Sequence, residues 1–272
     1  IGWFSTGRDE AARQLLQVVQ DNIQQGRING KIIFVFSNRE GNETKESDLF
    51  FGLVNSYKIP PVCFSSQKFK DSKGIRDNIN EGSKLPSWRL EYDREVMSRL
   101  EPFSPDICVL AGYMLIVGEE MCKRYKMINL HPAEPGGPTG SWQEVIWKLI
   151  ESKAKKSGVM MHLVTPELDK GPVVTYCTYP IRGKSFNIYW KEIDKYSLGK
   201  IKEEQGENSV LFRLIRQEGL KREFPLIVST IKAFSQNKIR IENGKVINPG
   251  GQPITGYDLT EEIDKLVKRG KN

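Results

Sequence analysis

The chain has 272 residues, 28% of them charged and 38% hydrophobic, and its 41 Lys+Arg against 34 Asp+Glu give a net charge of +7. That size and composition describe a globular protein of one or two domains whose core needs no disulfide staples, and no apolar run reaches the roughly 18 residues of a membrane span. With only two histidines, His131 and His162, a zinc site built on several imidazoles is all but excluded, and the mild positive charge suits anionic small ligands as well as nucleic acid.

In chain order, short β-rich runs alternate with helical patterns. Ile1–Phe4 has the character of a strand tail without a signal-peptide pattern, so native residues are expected before it. A helix follows, with Ala12, Leu15, Leu16, Val19 and Ile23 on one face and a stop near Gly26. Further strands are expected at Lys31–Ser37, Val62–Phe64, Ile107–Ala111, Met127–Leu130, Gly158–Val164 and Val173–Ile181. Helices are expected at Lys45–Tyr57, Arg89–Leu100 and Ser141–Glu151, with a long pair inside Ser209–Ser235. The runs KIIFVF and DICVLAG are apolar throughout, as strands covered on both faces are. This order predicts an α/β fold with a Rossmann-like, doubly wound, mostly parallel sheet.

Polar Gln67–Pro86, with Gly74 and Gly82, reads as a loop, and charged Lys184–Asn208 as a surface insertion. Lys238–Ile241 and Lys245–Ile247 flank Glu242-Asn243-Gly244, a hairpin turn signal. The expected organisation is a core over residues 1–181, an insertion over 182–208, and C-terminal helices and a hairpin over 209–272 packed on the same domain. Cys63, Cys108, Cys122 and Cys177 are far apart and form no CxxC, which points to a reducing, cytoplasmic compartment.

Three segments carry candidate chemistry. The turn Ser5-Thr6-Gly7-Arg8-Asp9-Glu10 lies where a strand enters a helix. It either presents N–H groups to an anion or is a tight turn capped by Thr6 or Asp9. It lacks the dinucleotide and P-loop glycine patterns. In Met127–Pro132, strand alternation points Asn129 and His131 the same way at a strand's carboxyl end, where open α/β sheets bind ligands. A buried structural histidine beside a turn asparagine is the alternative. In Ser157–Pro172 a strand runs into a turn carrying Glu167 and Asp169. An aspartate aimed at an imidazole raises its pKa and relays protons, whereas a turn aspartate commonly caps its own backbone.

Together, INLHPAEPGGPTG and HLVTPELDKGPVV resemble the folate-dependent formyltransferases, and among them the glycinamide ribonucleotide group most closely. Pro105–Met114 is similar to that family's PD-(apolar)-LAG-(F/Y)-M strand, and Arg89–Glu95 to its R-x-x-YD helix. The hairpin and closing Gly-Gln-Pro-Ile-Thr-Gly-Tyr agree as well, so the likeness spans about Phe4–Tyr257.

The resemblance implies transfer of a formyl group from 10-formyltetrahydrofolate to a primary amine, best glycinamide ribonucleotide in purine synthesis. It implies Asn129, His131 and Asp169 as the catalytic group, with no metal. Met114, Leu115, Ile116 and Val117, together with Val164, Thr165, Glu167 and Leu168, would hold the pterin. Arg89 would meet the glutamyl carboxylate of folate, and His162 would line the site. Gly7, Arg8, Gly136, Gly137 and Thr139 would touch the acceptor. The expected partners are a small anionic amine acceptor and folate, without nucleic acid or membrane, acting on a monomer or homodimer.

Departures from the family pattern gather on the acceptor side. The family's SG-x-GSN phosphate turn is replaced by Ser5–Ala11, which is similar to the GTP-x-FA turn of methionyl-tRNA formyltransferases. The acidic residue five before the helix proline is Leu220, and the second folate-side arginine aligns with Leu115. Arg8, Arg39 or Lys170 would then meet an anionic acceptor. Other amines, water as in formyl-folate hydrolases, and a non-catalytic nucleotide-binding relative are the alternative readings.

Overall fold

A computed structural model of the chain describes residues 1–75 and 85–270. Its elements are β1 (Gly2–Phe4), α1 (Glu10–Gln24), β2 (Phe34–Ser37), α2 (Lys45–Ser56), β3 (Pro61–Cys63), α3 (Ser66–Ser72), α4 (Ser87–Arg99), β4 (Cys108–Leu110) and α5 (Glu119–Arg124). The chain continues through β5 (Met127–His131), α6 (Trp142–Glu151), β6 (Lys156–Leu163), β7 (Val173–Pro180), α7 (Lys184–Ile193), α8 (Leu198–Glu204) and α9 (Val210–Ser235). It closes with β8 (Arg240–Glu242), β9 (Lys245–Ile247), β10 (Pro253–Ile254), β11 (Tyr257–Asp258) and α10 (Thr260–Arg269).

One sheet runs β11-β7-β6-β5-β4-β1-β2-β3. Strands β3, β2, β1, β4 and β5 are parallel, β6 is antiparallel to both β5 and β7, and β11 adds parallel to β7. The expected mostly parallel, doubly wound architecture is what the chain forms. Its cause is visible in β1: Trp3 joins one core, with Leu15, Leu16 and Phe50 of α1 and α2, while Phe4 joins the other, with Tyr92, Val96 and Met121 of α4 and α5. A strand buried on both faces has no polar side, so its sequence does not alternate in polarity.

Sheet order reverses between β1 and β4, so the crevice where open sheets bind ligands lies over the carboxyl ends of these two strands. The turn after β1 rests on Gly7 (φ +62°), where a Cβ would stand 2.9 Å from the Phe50 ring. The expected hairpin forms from β8 and β9, with Asn243 and Gly244 both at positive φ, and β10 extends it to three strands.

Three expectations need correction. Residues 209–235 hold no helix pair: α9 is one 26-residue helix with Pro225 inside it. Burial of Leu211, Phe212, Ile215, Leu226, Ile227 and Ile231 along α9 outweighs the hydrogen bond that Pro225 cannot make. The Gln67–Pro86 loop begins with a helix, α3, capped by the Ser65 side chain on the Lys68 N–H and packed through Phe69 on Tyr92; residues 76–84, with Gly82, lie outside the described residues. The charged stretch 184–208 holds α7 and α8, whose Phe186, Trp190 and Ile201 are buried. Trp190 Nε1 donates to Ile181 O at 2.6 Å, tying the stretch to the end of β7. All four cysteines are free, and among the described residues no helix is long and apolar enough to cross a membrane.

Candidate active site

The antiparallel register of β5 on β6 places Asn129 directly opposite His162 and His131 opposite Met160. Alternation along β5 then puts Asn129, His131 and His162 on one face of the sheet. His162 Nδ1 lies 2.8 Å from Leu163 O, which can only accept, so Nδ1 carries a proton. Its Nε2 lies 3.2 Å from Asn129 Nδ2.

Asp169 arrives from the turn after β6. Leu163 N donates to Pro172 O at 2.8 Å across the neck of the turn, and a Cβ at Gly171 would collide with Leu163 O. Glycine is therefore required there, and Asp169 itself takes a left-handed φ of +55°. Its carboxylate is 5% exposed and sits between the two imidazoles. Oδ2 is 3.5 Å from His131 Nδ1, and Oδ1 is 3.5 Å from His162 Nε2. Gly140 N donates to Oδ2 at 3.0 Å. Burial by itself raises the Asp169 pKa, but His162, the His131 ring and the Gly140 N–H together hold it below the ordinary value.

His131 is 2% exposed. Its Nε2 lies 2.8 Å from Pro138 O, which again identifies a donor and fixes the proton on Nε2. Burial lowers the His131 pKa, outweighing the opposing pull of Asp169 and the Pro138 carbonyl. The neutral ring thus turns a bare Nδ1 toward Asp169, an arrangement ready to receive a proton.

Asn129, His131 and Asp169 open onto one cleft of 410 Å³ together with Arg8, Gly112 and Trp142. The formyl transferase family profile matches residues 10–185, which spans every element that builds this cluster. The chain belongs to the formyl transferase family. It is 28% identical over 172 residues to the phosphoribosylglycinamide formyltransferase of Escherichia coli (strain K12), covering 61% of this chain and 68% of that one. It is 32% identical over 178 residues to the enzyme of the same name from Dictyostelium discoideum, covering 61% and 78%. The phosphoribosylglycinamide formyltransferase structure from Coxiella burnetii superimposes with a TM-score of 0.65 over 94% of this chain and 97% of that one, at 18% identity, a likeness of fold.

Within this formyl transferase fold the remaining sequence candidates scatter. Met114, Leu115, Ile116 and Leu168 line the 410 Å³ cleft. Val117 is buried in the core beneath α4 and α5, and Val164 packs against the same core. Thr165 spends its hydroxyl on Glu167 O within the turn. Gly136, Gly137 and Thr139 line a separate 520 Å³ cleft with Lys170, which also reaches Asp169. Arg8 lines the main cleft, whereas Gly7 shapes the turn behind it.

Arg89 lies apart from the cleft residues. It is 4% exposed, and its Nη2 donates to Asp93 Oδ1 at 2.9 Å and to Ile116 O at 2.7 Å. Asp93 Oδ2 in turn accepts from Gly118 N at 2.6 Å. The Arg89–Asp93 pair braces the 113–118 loop from behind and does not open onto the cleft.

Two charged side chains from α9 complete the cleft and escape the sequence reading. Arg216 Nη1 donates to Glu223 Oε1 at 2.5 Å, and its guanidinium lies 4.5 Å from the Trp142 ring centroid. Burial raises the Glu223 pKa, with Arg216 opposing and Asp9 adding to the rise. The available signal is their spacing of seven, which puts both on one helix face. Counting to a fixed position before Pro225 finds Leu220 instead. Among the described residues no group of three or more His, Cys, Asp and Glu side chains is arranged to hold a metal ion.

Proposed function

We propose that the chain transfers the formyl group of 10-formyltetrahydrofolate to the primary amine of glycinamide ribonucleotide. The carrying observation is the convergence of the Asn129 amide, the His131 imidazole and the Asp169 carboxylate on one cleft. Family membership and the names of the relatives support the donor and the acceptor.

The amine nitrogen attacks the formyl carbon, and negative charge builds on the formyl oxygen. An amide N–H from Asn129 and the Nε2–H of His131 are the donors for that charge. One of the two Asn129 amide N–H groups faces His162 and the other is left for the oxyanion, whereas the His131 Nε2–H is held by the Pro138 carbonyl in this conformation. The oxyanion gains the His131 donor by displacing the Pro138 carbonyl. The proton lost by the attacking nitrogen passes to His131 Nδ1, and Asp169 stabilises the imidazolium that forms. Collapse of the tetrahedral intermediate breaks the carbon–N10 bond. The proton is delivered to N10, tetrahydrofolate leaves, and no charge is stranded. Leu115, Ile116 and Leu168 supply an apolar wall for the pterin beside the reacting carbon.

Incubating the protein with 10-formyltetrahydrofolate and a panel of amines tests this reading. Tetrahydrofolate release is expected with glycinamide ribonucleotide alone. The His131→Ala and Asp169→Asn variants should lose roughly 10²–10⁴-fold in kcat with little change in Tm. Release without any amine, at the same rate, would make water the acceptor and overturn the assignment.

A further inference from the structure

The N-terminus of α1 borders the catalytic cleft, and the chain itself fills it. Asp9 Oδ1 accepts from Ala12 N at 2.9 Å, Asp9 Oδ2 lies 3.4 Å from Arg8 Nε, and Glu10 follows in the first turn. A phosphate placed there would meet two carboxylates.

A second cleft, of 520 Å³, opens next to it over the carboxyl ends of β1, β2 and β3. It shares Arg8 and Met114 with the catalytic cleft, so one extended molecule can occupy both. Its frame is fixed by a buried chain of hydrogen bonds. Met114 N donates to Thr6 Oγ1 (3.0 Å), Thr6 Oγ1 to Asn38 Oδ1 (2.7 Å), and Asn38 Nδ2 to Ser66 Oγ (3.2 Å). Three cations line it: Arg8, Arg39 and Lys68. Lys68 is paired with Glu40 at 2.8 Å. Arg39 is different: its Nη1 donates to Thr44 Oγ1 at 2.9 Å, and among the described residues it has no carboxylate partner. The one lining carboxylate, Glu43, is turned onto the backbone N–H of Glu40. A guanidinium with unused donors beside serine and threonine hydroxyls, in a preformed polar cleft, matches the tetrahedral oxygens of a phosphate ester.

We propose that this second cleft seats the phosphate of the amine acceptor, with Arg39 as its principal partner and Arg8 at the junction of the two clefts. The proposal rests on the formyl-transfer reading for the identity of the acceptor. It places the phosphate over β2 and β3, displaced from the first βα turn.

The test uses Arg39→Gln and Lys68→Gln, both at exposed or half-exposed positions, with Tm as the check on folding. Inorganic phosphate is titrated calorimetrically into wild type and each variant, and steady-state kinetics are measured with both substrates. Wild type should bind phosphate, and phosphate should compete with the acceptor but not with the formyl-folate. Arg39→Gln should weaken phosphate binding and raise the acceptor KM by roughly tenfold or more. It should leave kcat within about twofold and the folate KM unchanged, because the contact is equal in ground and transition states. Lys68→Gln should act in the same direction and less. Unchanged phosphate affinity and acceptor KM in Arg39→Gln overturn the proposal. A raised folate KM in place of the acceptor KM also overturns it and assigns the cleft to the carboxylates of the folate tail. If no amine is turned over, the formyl-transfer reading fails, while the phosphate titration still decides whether the cleft binds phosphate.

Discussion

Asp169 occupies a backbone conformation that few aspartates adopt, and it holds its carboxylate between two imidazoles. The folded protein therefore disfavours protons at two linked positions: His131 and Asp169 both titrate below their ordinary values. A group that binds a proton more weakly when folded makes unfolding easier as the pH falls. For His131 that loss begins below its ordinary 6.5 and is complete once the pH has passed its lowered folded value. For Asp169 it begins below 3.8. The His131 window opens first as the pH falls, so a substitution there is read just below 6.5. His131→Asn should flatten the dependence of Tm on pH just below 6.5. A melting series from neutral to acid pH checks this, and an unchanged slope below 6.5 would mean that His131 is solvated in solution.

At the scale of elements, what the sequence makes legible depends on whether a feature is local. Asn129 and His131 share a face because any strand alternates, and Gly171-Pro172 marks a turn that can aim Asp169. The pairing of Asn129 with His162 depends on the β5–β6 register, which periodicity within either strand leaves open. The short helix α3 escapes notice because its composition is polar and its one anchor, Phe69, packs on a distant Tyr92. In the same way α7 looks like part of a solvated insertion until it packs on α9 and Phe186 joins the core. Along α9, Arg216 and Glu223 are two turns apart, and only the fold shows that this face borders the cleft. Their ion pair makes a prediction of its own. Glu223→Leu leaves a largely buried guanidinium without its carboxylate and should cost about 1–3 kcal/mol of stability by urea denaturation. The double variant Arg216→Met/Glu223→Leu should recover most of that loss, because removing both charges removes the desolvation that each demands. A double variant less stable than the single one would mean that Arg216 contributes through its contact with the Trp142 ring.

Across the whole molecule, the parallel half of the sheet is the most readable part, because its strands are continuous apolar runs separated by amphipathic helices. The antiparallel side is held by contacts that only the closed fold creates. Strand β11 is two residues long and binds β7 in parallel, with Tyr257 beside Thr175 and Asp258 beside Tyr176. Thr178 N donates to Thr260 Oγ1 at 3.1 Å, and α10 then buries Ile263 completely. Neither two residues of strand nor a ten-residue helix rich in charge announces itself in sequence, yet together they cover the edge of β7 and part of α9. Removing residues 257–272 should expose that edge as an unpaired template for other chains. The expected result is a lower Tm and concentration-dependent aggregation by light scattering, with formyl-transfer activity retained at low concentration, because these residues lie outside the 410 Å³ cleft. Loss of activity in a truncated protein that stays monomeric would instead show that residues 257–272 hold Ile254 and Thr255 in place, where they line the neighbouring 520 Å³ cleft together with Asp169.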